Sequence, residues 1–242
     1  MNGLTSIIIL TYNQLSYTRL CLESIFRWTS LPYQLIIIDN GSSDGTINYL
    51  QTLSGVSLVC NQENRGFSKG VNQGIKLAQG EQILLLNNDT IVARNWLKNQ
   101  VFCLRSKADI GIVGPRSNCA ALSQGFVPGD FSSIEKITSF SNNFNCPAPA
   151  KWFETKQIVG FCMLLKRELI KKVGFFDERY DYGLFEDHDY CIRASQNGFK
   201  LYCAGDTFVY HFGGRTFQGN KLDHALIKQN NLKLFQQKWG EK

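Results

Sequence analysis

Nothing in the 242 residues approaches the roughly 18-residue apolar run that a membrane-crossing helix needs. The N-terminal stretch MNGLTSIIIL has no basic region, no long apolar core and no cleavage site, so it reads as a first strand rather than a secretory signal. Eight cysteines are scattered without a single C-x-x-C pair, which removes zinc ribbons and a disulfide framework from consideration. Buried free thiols in a reducing, cytoplasmic setting are expected instead. There is no basic tract and no stacking motif, so nucleic acid is not an expected partner. No internal repeat is evident.

What is present suits one folded unit. Hydrophobic residues make up 43% and charged residues only 19%, enough for a packed core and too few charges for a disordered chain. The net charge of +6 suits anionic ligands such as nucleotide diphosphates, and an anionic membrane face is a second reading. A solvated basic surface would account for it equally.

The first half alternates. Apolar strands are expected at Ser6 to Leu10, Leu35 to Asp39, Val56 to Cys60, Ile83 to Asn87 and Ile110 to Val113. Helices fall between them: Leu15 to Trp28, Asp44 to Leu53 with Ser43 or Asp44 as cap, Phe67 to about Gly80, and Asn95 to Leu104. Strands that are apolar on both faces imply a mostly parallel sheet covered by helices on both sides, with ligands beyond its carboxyl ends. The polar clusters Asp39-Asn40 and Asn87-Asn88-Asp89 stand at those ends.

Residues 116–151 dissolve into Ser, Asn, Gly and Pro and read as a long mobile loop over the site. Regular structure resumes with Ile158 to Lys166, helices near Arg167 to Val173 and Asp187 to Asn197, and strands at Lys200 to Cys203 and Thr207 to His211. A lysine-dotted helix from Leu222 to Trp239 closes the chain. The organisation expected is therefore a catalytic domain over 1–220, split into a nucleotide-binding half (1–115) and an acceptor-binding half (116–220), and a helical tail over 221–242.

Four stretches carry the chemistry: IIILTYNQ (7–14), IIIDNGSSDGT (36–46), NRGFSKGVNQGIKLAQGEQILLLNNDT (64–90) and GLFEDHDYCIRASQNGF (183–199). In this order and spacing they resemble the family 2 glycosyltransferases, nucleotide-sugar-dependent inverting enzymes of the GT-A fold. The resemblance covers essentially residues 5 to 215. It implies an α/β fold with a mostly parallel central sheet flanked by helices, and a UDP- or dTDP-sugar as donor. The acceptor class it implies is a hydroxyl of a glycan, a lipid-linked oligosaccharide or a glycoprotein.

The residues fit those roles chemically, and each has a plainer reading. Asp39 can accept a hydrogen bond from a base edge, as the matching family residue does, or be a turn residue in a stretch dense with turn formers. Asp44 reads as a helix cap. Asn87-Asn88-Asp89 aligns with the family's D-x-D motif, which makes Asp89 the expected ligand of Mn2+ or Mg2+. Asn87 stands where the motif has its first aspartate, which weakens the metal site; a cap for the next helix is the alternative. His211 can complete the metal set, and its imidazole suits Mn2+ better than Mg2+; a structural histidine is the alternative. Thr11, Tyr12, Asn13, Asn64, Arg65, Lys69, Asn87, Asn88, Gly160 and Arg215 complete the expected donor site.

Glu186-Asp187-His188-Asp189 places three acids at a helix start, where the helix dipole favours them in any case. By the resemblance, Asp187 is the general base for the acceptor hydroxyl and Glu186 orients it or touches the acceptor. Two rivals stand beside the transferase. A sugar nucleotidyltransferase would need a glycine-rich, basic triphosphate loop after the first strand, which LTYNQLSYTR does not offer. A non-catalytic nucleotide-sugar-binding module is favoured only by Asn87. The tail lysines Lys221, Lys228, Lys233 and Lys238 suit peripheral contact with the inner membrane face or packing on another domain.

Overall fold

In the computed structural model, residues 3–120, 124–125, 127–215, 219–220 and 223–240 are described. An eight-stranded sheet runs in the order β3-β2-β1-β4-β8-β6-β9-β7. Its parallel half is β1 (Thr5–Thr11), β2 (Tyr33–Asp39), β3 (Val56–Cys60) and β4 (Gln82–Asn87). Beyond β4, the strand β8 (Cys162–Lys166) is antiparallel to both β4 and β6 (Ile110–Arg116). The strand β9 (Lys200–Phe208) is parallel to β6, and β7 (Phe153–Thr155) closes the edge.

Both faces are covered, which is why the central strands show no polar alternation. Ile7 and Ile9 point toward α1 (Leu15–Trp28) and α4 (Trp96–Arg105), sharing a core with Leu22, Ile25, Trp96 and Val101. Ile8 faces the other way, toward α3 (Gly66–Leu77), α6 (Arg167–Val173) and α7 (Glu186–Gln196), with Val71, Ile75, Leu169 and Tyr190. The short α2 (Thr46–Gln51) lies beside β3. The cap of α2 is Gly45 rather than the expected Ser43 or Asp44, but the Asp44 carboxylate accepts from the backbone N–H of Thr46 and of Leu15, tying together the starts of α2 and α1.

Three expectations change. Residues 116–151 are not one irregular loop: Ser133 caps α5 (Ile134–Phe144), whose Phe140 and Phe144 pack on Phe208. The region from Lys200 to His211 is one long strand followed by a two-residue strand, β10 (Tyr210–His211), which pairs with β5 (Thr90–Ile91) in a small separate ribbon. The tail does not project. In α8 (His224–Trp239), Asn231 and Phe235 are buried against the body, and Lys238 pairs with Asp177 and Asp189 rather than facing outward. Lys228 and Lys233 are exposed, and Lys221 lies outside the described residues.

All cysteines are free. Five are buried, but Cys60, Cys119 and Cys146 are exposed, against expectation. Burial pushes the Cys21, Cys103 and Cys203 thiols up to about 12, so they are inert packing groups. No described helix is long and apolar enough to cross a membrane.

Candidate active site

Beyond the carboxyl ends of β1 and β4 lies a cavity of about 130 Å³. Thr11, Tyr12, Asn64, Asn87, Asn88, Asp89 and Arg215, all expected from the sequence, line it. Leu10, Asn40, Phe67 and Tyr182 join them. Asn40 was visible as the partner of Asp39 in a strand-end polar pair; Phe67 read only as a helix-face residue, and nothing in the sequence marks Tyr182. A second cavity of about 360 Å³ shares Asn64, Gly66 and Tyr182 with the first and adds Glu63, Arg65, Lys69 and Asp181. Arg65 and Lys69 therefore sit one compartment away from the first cavity.

The β5–β10 ribbon explains why the apolar strand β4 runs into Asn-Asn-Asp. Thr90 pairs with His211, and the N–H of Phe212 donates to the Asp89 carbonyl. This carries residues 122 positions apart side by side, with His211 Nε2 at 3.1 Å from Asp89 Oδ1. Phe161 stacks on the imidazole at 5.0 Å and fixes its plane. The Cys119 carbonyl, 3.2 Å from Nδ1, can only accept, so it holds Nδ1–H and turns Nε2 toward Asp89. Asn87 Nδ2 also approaches Nε2, at 3.4 Å.

At 3.1 Å the pair is joined by an Nε2–H hydrogen bond when that nitrogen is protonated, and needs a cation between its two acceptors when it is not. Neighbouring ligands of an octahedral cation bound at 2.0–2.1 Å stand about 3 Å apart, so the pair has the spacing of two metal ligands. No cluster of three His, Cys, Asp or Glu side chains exists among the described residues. Asp89 and His211 thus fit a divalent ion whose other ligands are phosphate oxygens and water.

Asp39, expected to meet the base, is fully buried and does not line the first cavity. Its Oδ1 accepts from the N–H groups of Gly41 and Ser42, and its Oδ2 from the hydroxyls of Thr11 and Ser42. A carboxylate has about four acceptor positions, so no lone pair is left for a base unless Ser42 yields. Asn13 also turns inward: its amide bridges Ser43 N and Asn220 Oδ1, away from the cavity lining.

The acid pair starts α7. Asp187 accepts from the N–H of Gly160 at 2.9 Å and of His188 at 2.7 Å. Gly160 therefore serves the carboxylate rather than the cavity wall, where it does not appear. It is not crowded either, since an added Cβ would meet Asp187 Cβ at 3.5 Å and Phe67 Cζ at 3.7 Å. Asp187 and Phe67, a lining residue of the first cavity, thus both flank Gly160, while neither Asp187 nor Glu186 lines either cavity. Glu186 is 5% exposed, and its Oε2 has no hydrogen-bond donor among the described residues. Burial first, then the charge of Asp187, hold the Glu186 carboxyl well above the usual range. Burial also raises Asp187, opposed by its two N–H donors. Asp187 accepts two backbone bonds and Glu186 Oε2 accepts none, so Glu186 keeps the shared proton and Asp187 ionises first.

Comparison with known proteins places this geometry. The model described as glycosyl transferase family 2 matches residues 6–174, well over half of the chain. The chain belongs to that family. It is 25% identical over 186 residues to the glycosyltransferase GlyG of Streptococcus pneumoniae, covering 74% of this chain and 62% of GlyG. It is 22% identical to the chondroitin synthase of Pasteurella multocida, covering 96% of this chain but 27% of the synthase. The chain thus spans less than two thirds of these relatives.

Among solved structures, the fold matches the mannosyltransferase PcManGT of Pyrobaculum calidifontis, in complex with GDP-Man and Mn2+. That match has a TM-score of 0.66 at 20% identity, over 96% of this chain and 64% of the other. It also matches GalNAc-T7 with UDP, GalNAc and Mn2+, at TM-score 0.66 and 16% identity, over 86% of this chain and 44% of the other. The architecture is the GT-A fold.

Proposed function

We propose that this chain is the catalytic unit of an inverting glycosyltransferase that moves a sugar from a UDP- or dTDP-sugar to a hydroxyl of a glycan, lipid-linked or protein-linked acceptor. The observation that carries the reading is convergence. Thr11, Asn64, Asn87, Asp89 and Arg215 face one cavity, the Asp89–His211 pair stands at one side, and the Glu186–Asp187 pair, outside the lining, neighbours the lining residue Phe67 around Gly160 and Gly183.

The diphosphate end of the donor belongs near Asp89, where the backbone N–H of Arg215 already points at the carboxylate from 3.4 Å. Asp89 and His211 would hold Mn2+ or Mg2+, which supplies charge neutralisation for the departing nucleotide diphosphate. Asp39 acts from below: by gripping Thr11 and the 41–42 turn it shapes the nucleoside floor instead of reading the base itself. Asp187, ionised and aimed by two backbone donors, takes the acceptor's proton as the hydroxyl oxygen attacks the anomeric carbon. Neutral Glu186 can donate a hydrogen bond to the incoming acceptor, which an ionised neighbour could not. The Mn2+-bound relatives in the same fold support a divalent ion here.

Incubation with UDP-, dTDP- and GDP-sugars, with and without Mn2+, should release nucleotide diphosphate from at least one donor. Asp187→Asn should lower that turnover by about 10²- to 10⁴-fold, the usual weight of a general base, while nucleotide diphosphate affinity stays near wild type. Near-wild-type turnover in that variant would remove Asp187 from the role.

A further inference from the structure

The loop before the acid pair is built from backbone that L-residues avoid. Tyr182, Gly183, Leu184 and Phe185 have φ of 55°, 101°, 73° and 75°, four consecutive residues in the left-handed region with only one glycine among them. Such a run persists only where its surroundings hold it. The holder is in α8. The side-chain amide nitrogen of Asn231, 3% exposed, lies 2.9 Å from the Asp181 carbonyl, 2.7 Å from that of Gly183 and 3.2 Å from that of Leu184. Four more contacts seat the same helix. Phe235 packs against Phe185 and stacks on His188 at 4.7 Å, and Lys238 and Trp239 both bond Asp189, two residues beyond the base.

The clamped loop reaches the site at both ends. Its Tyr182 lines both cavities, and the space above Gly183 borders the Glu186 carboxyl and Phe67. Resting on the transferase reading above, we propose that Asn231 is a positioning residue for the transfer reaction. Its amide pins the left-handed run 182–185, and thereby sets Tyr182 over the donor cavity and the Glu186–Asp187 pair at the acceptor side. The terminal helix is then part of the frame of the site, and glycosyl transfer depends on a residue far from every recognisable motif.

The test uses the full chain in two variants, Asn231→Ala and the isosteric Asn231→Asp, which replaces a donor to three carbonyls with an acceptor. Leu226→Ala, exposed on the same helix, is the control. Hydrogen exchange followed by mass spectrometry should show the amides of 181–187 exchanging about tenfold faster in both variants, the size expected for unpairing buried carbonyls. The rest of the sheet should be unchanged. In the same preparations, release of nucleotide diphosphate from the sugar-nucleotide panel with Mn2+ should fall about ten- to thirtyfold in kcat, with a smaller rise in KM, and Leu226→Ala should match wild type. A merely structural role would lower the folded fraction but leave kcat per folded molecule alone. Unchanged exchange at 181–187 in both variants, or a loosened loop with unaltered kcat, overturns the proposal and leaves the transferase reading standing. A wild type that releases nothing from any donor overturns that reading and this proposal with it.

Discussion

Replacing Glu186 by glutamine preserves its shape and removes the proton uptake that folding demands of this buried carboxyl above about pH 4. A carboxyl whose folded value is raised binds more protons folded than unfolded, so stability falls as pH rises above the unfolded value of about 4.3. Wild type is therefore strained at neutral pH by this one group. Glu186→Gln should raise Tm by a few degrees at pH 7.5 and by nothing at pH 4, where both forms are neutral. A melting curve at each pH decides it; an equal gain at both would mean that shape, not charge, set the difference. At the other side of the cavity, His211→Ala leaves Asp89 without its neighbour at 3.1 Å. If the pair holds the metal as proposed, this should weaken apparent Mn2+ affinity in turnover assays by about 10- to 100-fold, a typical weight for groups that support a metal site, and excess EDTA should abolish turnover in the wild type.

At the scale of elements, two glycines of similar sequence appearance separate sharply. Gly66 opens α3 at φ +78°, and a Cβ there would sit 2.9 Å from the Tyr182 backbone nitrogen. Gly66→Ala should cost about 1–3 kcal/mol and weaken donor binding, because it pushes on the loop that walls both cavities. Gly160→Ala meets only ordinary contacts and should cost under about 1 kcal/mol; urea titrations of the pair test the contrast. The parallel half was legible because β1 to β4 and the helices between them carry long apolar runs and stripes. The α5 helix was missed although Ile134, Ile137, Phe140 and Phe144 recur at helical spacing behind the Ser133 cap, because the Ser, Asn, Gly and Pro around it read as one loop. The β5–β10 ribbon, two residues per strand, is too short for any period, yet it makes the Asp89–His211 pair. Asp39 was legible as a strand-end carboxylate, but its four donors come from backbone turns and a neighbouring strand that spacing does not reveal. The hold of Asn231 on the 182–185 run likewise depends on how α8 docks.

At the scale of the whole molecule, the cavity is a seam. Leu10 to Tyr12, Asn40, Asn64, Gly66, Phe67 and Asn87 to Asp89 come from the parallel half, while Tyr182, Gly214 and Arg215 come from the later part of the chain. A donor filling the seam binds only the assembled protein, so it stabilises the whole fold by mass action. At a concentration 100-fold above Kd the gain is about 2.7 kcal/mol, and each kcal/mol moves the Tm of a chain this size by about 2–4 °C. The nucleotide sugar that supports turnover should therefore raise Tm by about 5–11 °C when Mn2+ is present. Because the proposed metal-binding pair is brought together by the β5–β10 ribbon, His211→Ala should erase the Mn2+-dependent share of that rise and leave the share owed to nucleoside contacts. A rise that is the same in wild type and His211→Ala, with and without Mn2+, would show that the ribbon pair contributes nothing to donor binding, and the seam would then have to be held by the Thr11, Asn64 and Tyr182 side alone.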